Sequence, residues 1–147
     1  MPQDIRPGGE GYEKFFVLLS GYGFNNVLRN YMENLIRTIV QAIEDKKGKD
    51  IVSLDLTGFD GAICSHFVVC NADSTTQVAA IADGIEEKVA EVLGEHPWRV
   101  EGQQNAVWIA LDYVDVVVHV FQTELRGYYR LEELWADAPL TRYEYEE

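Results

Sequence analysis

Two helical stripes of apolar residues, interleaved with short β-prone runs, constrain the fold of this chain more than any other feature. The first stripe recurs at steps of three and four residues and comprises Leu28, Tyr31, Leu35, Ile39 and Ile43. Gly48 follows it and can take the left-handed conformation that ends a helix. The second stripe lies between a capping pattern at Ser74 and a stop at Gly94, and comprises Val78, Ile81, Ile85, Val89 and Val92. Each stripe predicts a helix that packs by one face.

The β-prone runs are residues 51–56, 63–70, 98–101, 107–111 and 116–121. The last two flank residues 112–115 and predict a hairpin. Because helices interrupt the strands, we predict an α/β (α+β) fold, with a mixed sheet of about five strands flanked by helices. We assign residues 25–138 to one domain, residues 1–24 to a poorly ordered, glycine-rich leader and residues 139–147 to an acidic tail.

The net charge of the chain limits the classes of partner that it can bind. Its 147 residues include 25 acidic and 12 basic residues, for a formal charge of -13. The electrostatic field of such a negative charge opposes binding to the phosphate backbone of naked nucleic acid, so we expect no direct DNA binding. The same field favours a basic protein partner. No run approaches the roughly 18 apolar residues that span a bilayer, so we expect no membrane partner and a cytoplasmic protein.

Two groups of residues raise the question of metal binding. Cys64, His66 and Cys70 have the same parity on one predicted strand, but His66 and Cys70 would lie roughly 13 Å apart, too far to share one zinc ion. Buried thiols are the better interpretation of the cysteines. The chain is expected to bind no metal and no other cofactor.

Three aspartates leave an enzyme as an alternative. Asp55, Asp112 and Asp115 could meet at one end of the sheet and hold magnesium for nucleotidyl or phosphoryl transfer. The chain carries no glycine-rich phosphate loop followed by Lys and Ser or Thr. An aspartate-rich hairpin turn is the better explanation of Asp112 and Asp115, and no residue is assigned a catalytic role.

A set of aromatic and charged residues in the C-terminal half resembles the anchors of protein interfaces. Trp, Tyr and Arg bury large areas while keeping a polar group available to a partner. On the strand at residues 107–111 one face is aliphatic, so Trp108 must point to the opposite face. From the residues alone, core and interface are equally good interpretations of Trp108. The candidate partner-binding residues are Trp108, Asp112, Tyr113, Asp115, Arg126, Tyr129 and Trp135.

Several motifs together resemble the ribosomal silencing factor (Iojap) family. They are Lys47-Gly48-Lys49-Asp50-Ile51, Leu54-Asp55-Leu56, the segment STTQVAAIAD at 74–83, and Glu101-Gly102. The most specific block combines Trp108 and Asp112 with the run DVVVHVF at 115–121, Arg126, Tyr129 and the run LEELW at 131–135. The similarity covers about residues 35–138. Departures from the family pattern occur at Val114, where a small residue is common, and at residues 64–67.

The resemblance implies a nucleotidyltransferase-like fold without the enzymatic site. It further implies binding to the large ribosomal subunit through ribosomal protein uL14, which blocks joining of the small subunit and represses translation under nutrient limitation. Trp108 would belong to the contact surface, with Asp112, Tyr113 and Asp115 as neighbours, and homodimers are expected. We therefore predict a ribosome-binding factor that is not an enzyme. A metal-dependent transferase and a dimeric assembly scaffold are the alternatives.

Overall fold

The computed structural model describes residues 24–144, which form two long helices, two short ones and one sheet. The elements in chain order are α1 (Phe24–Asp45), β1 (Lys49–Asp55), β2 (His66–Ala72), α2 (Thr75–Leu93), β3 (Arg99–Glu101), β4 (Trp108–Asp112), β5 (Val116–Gln122), α3 (Thr123–Tyr129), α4 (Leu131–Leu134) and β6 (Leu140–Tyr143).

The sheet has six strands in the order β3-β4-β5-β2-β1-β6. Strands β2 and β5 are parallel neighbours at its centre, whereas the other pairs within residues 24–144 are antiparallel. The chain leaves β2 through α2 and returns through β3 and β4 before it forms β5, so a helix separates the two parallel strands in sequence. The predicted class, a mixed sheet flanked by helices, is confirmed.

Strand β6 corrects the boundary that was drawn at residue 139. The acidic tail was predicted to begin there, but Leu140–Tyr143 pair antiparallel with β1, with Leu140 opposite Leu54 and Tyr143 opposite Ile51. This strand is short and mostly exposed, so it lacks the apolar alternation that identifies a strand in sequence. The predicted leader falls on residues 1–23, outside the described residues, and on Phe24, which begins α1.

The two faces of the sheet have different covers. We call the face beneath α1 and α2 the helix-covered face. Its core combines side chains of both helices with alternate residues of the strands: Leu35, Ile39, Ile43, Ile81, Ile85, Ile109, Leu111, Val118 and Val120. We call the opposite face the aromatic face. Its smaller core is made of Val52, Leu54, Leu56, Phe67, Val69, Val117, Phe121 and Ala138, against which α3 and α4 pack.

The predicted helix ends are confirmed for α2, whereas the left-handed residue after α1 is Lys47, with φ of 63°, and not Gly48 as predicted. The Ser74 hydroxyl accepts a hydrogen bond from the backbone N–H of Gln77 at 3.1 Å, and Gly94 ends the helix in the left-handed conformation. None of the helices within residues 24–144 has the length and apolar character needed to cross a membrane.

Gly102 allows the backbone before β4 to pass close to Trp108, the first residue of that strand. Its φ is +88°, and a Cβ built there would lie 1.9 Å from the backbone oxygen of Trp108. Two backbone segments therefore approach each other at the start of the strand that carries Trp108.

Replacing Gly102 by Ala should lower the free energy of unfolding by more than about 2 kcal/mol, because the methyl group displaces backbone and the residue is held at positive φ. Urea unfolding followed by circular dichroism measures the loss. Gly58→Ala is the matched control, since a Cβ there meets nothing within 4 Å. Equal stability of the two variants would contradict the close approach.

Candidate functional site on the aromatic face

Trp108 lies on the aromatic face because side chains alternate along β4. Ile109 and Leu111 point into the helix-covered core, so Trp108 points the other way and packs against the smaller core. The predicted orientation is confirmed. Trp108 is half-buried, which means that it belongs partly to the core and still offers ring surface to solvent.

Three contacts fix the indole of Trp108. Its Nε1–H donates a hydrogen bond to Nδ1 of His119 at 3.0 Å. Its ring stacks on Phe121, directly opposite on β5, with centroids 4.8 Å apart. The ring of Tyr129 from α3 lies at the same centroid distance, tilted by 47°. A hydrogen bond and two ring contacts hold the side chain in one orientation.

His119 acts as a neutral acceptor in this arrangement. Burial lowers the pKa of His119 from 6.5 to about 4, so the imidazole is uncharged near neutral pH. Because Nδ1 accepts from Trp108, the proton of the neutral ring lies on Nε2, which is buried and has no hydrogen-bond partner among residues 24–144. His119 is therefore a hydrogen-bonded structural residue of β5.

An exposed rim of apolar side chains accompanies the fixed indole. On α3, Tyr128 is 78% and Tyr129 47% exposed, and on α4 Leu134 is 75% exposed. Val107, next to Trp108, is also exposed. Exposed aromatic groups in contact with one another are characteristic of a protein-binding surface, and the ring of Tyr129 lies 5.3 Å from that of Tyr128 and 4.8 Å from that of Trp108.

Trp135 supports this surface from beneath. It is half-buried, and its ring meets Phe59 edge-on at 5.4 Å and Phe67 at 6.2 Å. Phe67 in turn contacts His119 at 4.7 Å. A chain of aromatic contacts therefore links the α4 segment to the ring that holds Trp108.

Arg126, a predicted partner-binding residue, uses its guanidinium inside the chain. Nη1 donates to Oδ1 of Asn71 at 2.7 Å and to the backbone oxygen of Asp50, while Nε donates to Glu132 at 2.9 Å. Asn71 is buried on β2 and Glu132 belongs to α4. The side chain therefore fastens α3 and α4 to the end of the sheet, which makes Arg126 a positioning residue of the surface.

The turn between β4 and β5 changes the interpretation of Tyr113. Its side chain is only 5% exposed and packs in the helix-covered core, where burial raises the pKa of its hydroxyl. Tyr113 cannot present its ring to a partner, so its prediction as an interface residue is wrong. The physical reason is strand alternation: Tyr113 follows Asp112 and points to the opposite face.

The two aspartates of this turn have structural roles. Oδ1 of Asp112 accepts from the N–H of Val114 at 2.7 Å. The backbone oxygen of Asp115 accepts from Ser65 and His66, which ties the turn to the start of β2. Burial, assisted by Glu95, raises the pKa of the Asp115 carboxyl. Both side chains are half-buried, at the end of β4 and β5 where the turn joins the two strands.

The arrangement does not build the magnesium site that was considered as an alternative. Asp55 and Asp112 lie at the same end of the sheet, but alternation places them on opposite faces, as Leu54 and Leu111 show. Within the described part of the chain, no three His, Cys, Asp or Glu side chains are placed to hold a metal ion.

The cysteines also lie on opposite faces. Cys64 precedes β2 and packs on the aromatic face, whereas Cys70 lies in the helix-covered core, so the prediction that they share one face is wrong. Burial raises the pKa of Cys64 to about 11 and that of Cys70 to about 12. Both are unreactive thiols near neutral pH.

Comparison with known proteins gives one consistent family. The family model described as ribosomal silencing factor during starvation matches residues 29–147. Ribosomal silencing factors RsfS of Halalkalibacterium halodurans and Bacillus subtilis are 41% and 39% identical to the chain. These alignments cover 76% and 74% of this chain and 94% and 90% of the relatives.

Solved structures agree with the sequence comparisons. A crystal structure from Chromobacterium violaceum has a TM-score of 0.66 at 34% identity and covers 71% of this chain and 85% of its own. One from Bacillus halodurans has a TM-score of 0.63 at 38% identity, with 74% and 97% covered. The fold is thus that of a family of ribosome-associated factors. The chain belongs to the ribosomal silencing factor family.

Val114 carries strain that a substitution can relieve. Its φ is +75°, a conformation that a β-branched side chain resists. We expect Val114→Gly to raise the free energy of unfolding by about 1 kcal/mol, since relief of strain exceeds the added chain entropy. Urea unfolding provides the measurement. Val107→Gly, at a position without positive φ, should instead destabilise the chain, and loss of stability in both variants would contradict the strain.

The Trp108–His119 hydrogen bond predicts a pH dependence of stability. The folded pKa of His119, about 4, lies below its ordinary 6.5, so the unfolded state binds more protons between these values. Stability should therefore fall as pH decreases from 6.5 towards 4, and His119 should account for about 3 kcal/mol of the loss.

His119→Gln tests this share, because glutamine keeps an acceptor oxygen but does not titrate. Urea unfolding at about pH 7 and about pH 4.5 should show a smaller loss in the variant than in the unaltered chain. Burial lowers the pKa of His66 as well, so part of the dependence remains in both proteins. Identical pH dependence would rule out a neutral, buried His119.

Proposed function

We propose that this chain docks on the large ribosomal subunit by its aromatic face, contacts ribosomal protein uL14, and blocks joining of the small subunit. Translation is thereby repressed when nutrients are limiting. The mechanism is steric and takes place in the cytoplasm without chemical turnover. Family membership supports a role on the ribosome, and the geometry of the aromatic face supports this surface as the contact.

The observation that carries the proposal is the fixed, half-exposed Trp108. An indole that is already hydrogen-bonded to His119 and stacked on Phe121 offers a rigid apolar surface. Tyr129 extends that surface on α3. Side chains of these types supply most of the binding energy in protein interfaces, particularly when less critical contacts surround them and exclude water.

Charge supports a basic partner. The chain has a formal charge of -13, and Asp112 and Asp115 lie at the far end of the strand pair that carries Trp108. Complementary charge accelerates encounter and orients the partner, while apolar contacts at the centre determine how long the complex lasts. We propose that Trp108 and Tyr129 contact the partner directly, that Asp112 and Asp115 contribute at the margin, and that Trp135 and Arg126 support the surface.

Trp108→Ala should weaken binding to isolated large subunits by about 1 to 4 kcal/mol, or roughly 5-fold to 1000-fold in Kd. Co-sedimentation at a series of subunit concentrations measures the affinity. Trp98→Ala is the matched control, because Trp98 is an exposed tryptophan near the opposite end of β4. Its backbone N–H donates to the backbone oxygen of Asp112, and the substitution keeps this bond.

The same two variants should give different results in a subunit-joining assay. Large subunits preincubated with the unaltered chain or with Trp98→Ala should form fewer joined ribosomes on a density gradient than large subunits alone, whereas Trp108→Ala should restore joining. Circular dichroism confirms that each variant is folded. A folded Trp108→Ala that binds and blocks normally would refute this placement of the contact.

A further inference from the structure

A groove follows α1 along the helix-covered face, where the helix meets β1 and β6. Its volume is about 610 Å³. Ile36 and Val40 supply apolar lining from the helix, while Ser53 and Thr141 line it from paired positions on β1 and β6. The groove lies on the opposite face of the sheet from Trp108, so a partner on the aromatic face does not occupy it.

Strand β6 borders this groove and ends the sheet. It pairs with β1 on one side, and no strand among residues 24–144 pairs with its other side. Its residues Leu140, Thr141 and Arg142 are exposed. An edge of this kind presents backbone N–H and C=O groups in the spacing that another extended chain requires.

Both ends of the groove are acidic. One end carries Glu33 and Asp55, and the other carries Glu44. Among residues 24–144, Arg37 is the one arginine or lysine that lines it. Because α1 and β1 run in opposite directions across the turn at Gly48, Asp55 comes near the N-terminal part of the helix. Glu33 and Glu44 lie on one stripe of α1, about 16 Å apart at 1.5 Å per residue. Neither forms an ion pair with another described residue.

We propose that β6 and this groove bind an extended basic segment of a partner protein, which adds a strand to the sheet and directs two Lys or Arg side chains towards the acidic ends of the groove. In an extended chain, residues four apart lie on the same face and roughly 13 Å from each other. Flexible lysine or arginine side chains span the remaining distance to Glu33 and Glu44. Backbone pairing then supplies affinity, and the position of the charges supplies specificity.

The probe is a synthetic peptide of about eight residues with alternating Thr and Val and two lysines four residues apart, a length typical of one strand. Titrated into the full chain, it should shift backbone amide NMR signals of Leu140–Tyr143. Isothermal titration gives the affinity. The double variant Glu33→Gln/Glu44→Gln should bind at least about tenfold more weakly, because both acidic ends of the groove lose their charge.

The matched control is Glu87→Gln/Glu91→Gln, which removes the same charge from exposed positions on α2. It should bind the peptide as the unaltered chain does, and a peptide with glutamate in place of both lysines should not bind. If both double variants bind the peptide equally weakly, the groove is not the binding site, and the net negative charge of the chain alone accounts for the attraction. Signals that shift at Arg99–Glu101 instead would mean pairing at the other edge of the sheet.

One alternative occupant has its own signature. If a second copy of the chain fills the groove, the signals of Leu140–Tyr143 will change with protein concentration in the absence of peptide. That result would overturn a basic partner segment as the occupant. Signals that are independent of concentration and respond to the lysine peptide support the proposal.

Discussion

The parallel pairing of β2 with β5 places two apolar strands at the centre of the sheet, where both of their faces must be kept from water. Strand β5 is buried at six of its seven positions. The helices α1 and α2 cover one face and bury side chains of β1, β2, β4 and β5 beneath them. The opposite face is covered by α3, α4 and the loop around Phe59. The two helices have seven and four residues and span about 10 and 6 Å, whereas a seven-residue strand spans roughly 23 Å. The candidate binding surface exists because this second cover is incomplete.

The position of that second cover depends on polar contacts at one end of the sheet. Arg126 joins α3 to Glu132 of α4, to Asn71 of β2 and to the backbone of Asp50 in β1. A guanidinium can do this because its donors are planar and point in several directions. Lysine at this position would keep the charge but could not reach three separate elements. The aromatic side chains of α3 therefore depend on an arginine that does not itself belong to the exposed surface.

Much of this organisation could be predicted from the sequence, because it follows from periodicity. The stripe that ends at Ile43 and the cap at Ser74 predicted the two long helices, and alternation along β4 predicted the face of Trp108. Strand β6 could not be predicted in this way, since its residues are exposed and only backbone pairing with β1 defines it. Tyr113 and Arg126 are of residue types that are enriched in interfaces, but tertiary packing decides whether such side chains face water or the interior.

The hydrogen bond from Trp108 to His119 also affects how fast and how selectively the surface can associate. A tryptophan side chain on an open strand samples several rotamers, and a partner must select one of them at the cost of conformational entropy. Here the ring is immobilised when the chain folds, so that loss belongs to folding and not to association. The surface is preorganised, and a partner whose contour does not match the fixed indole cannot be accommodated by rotating it.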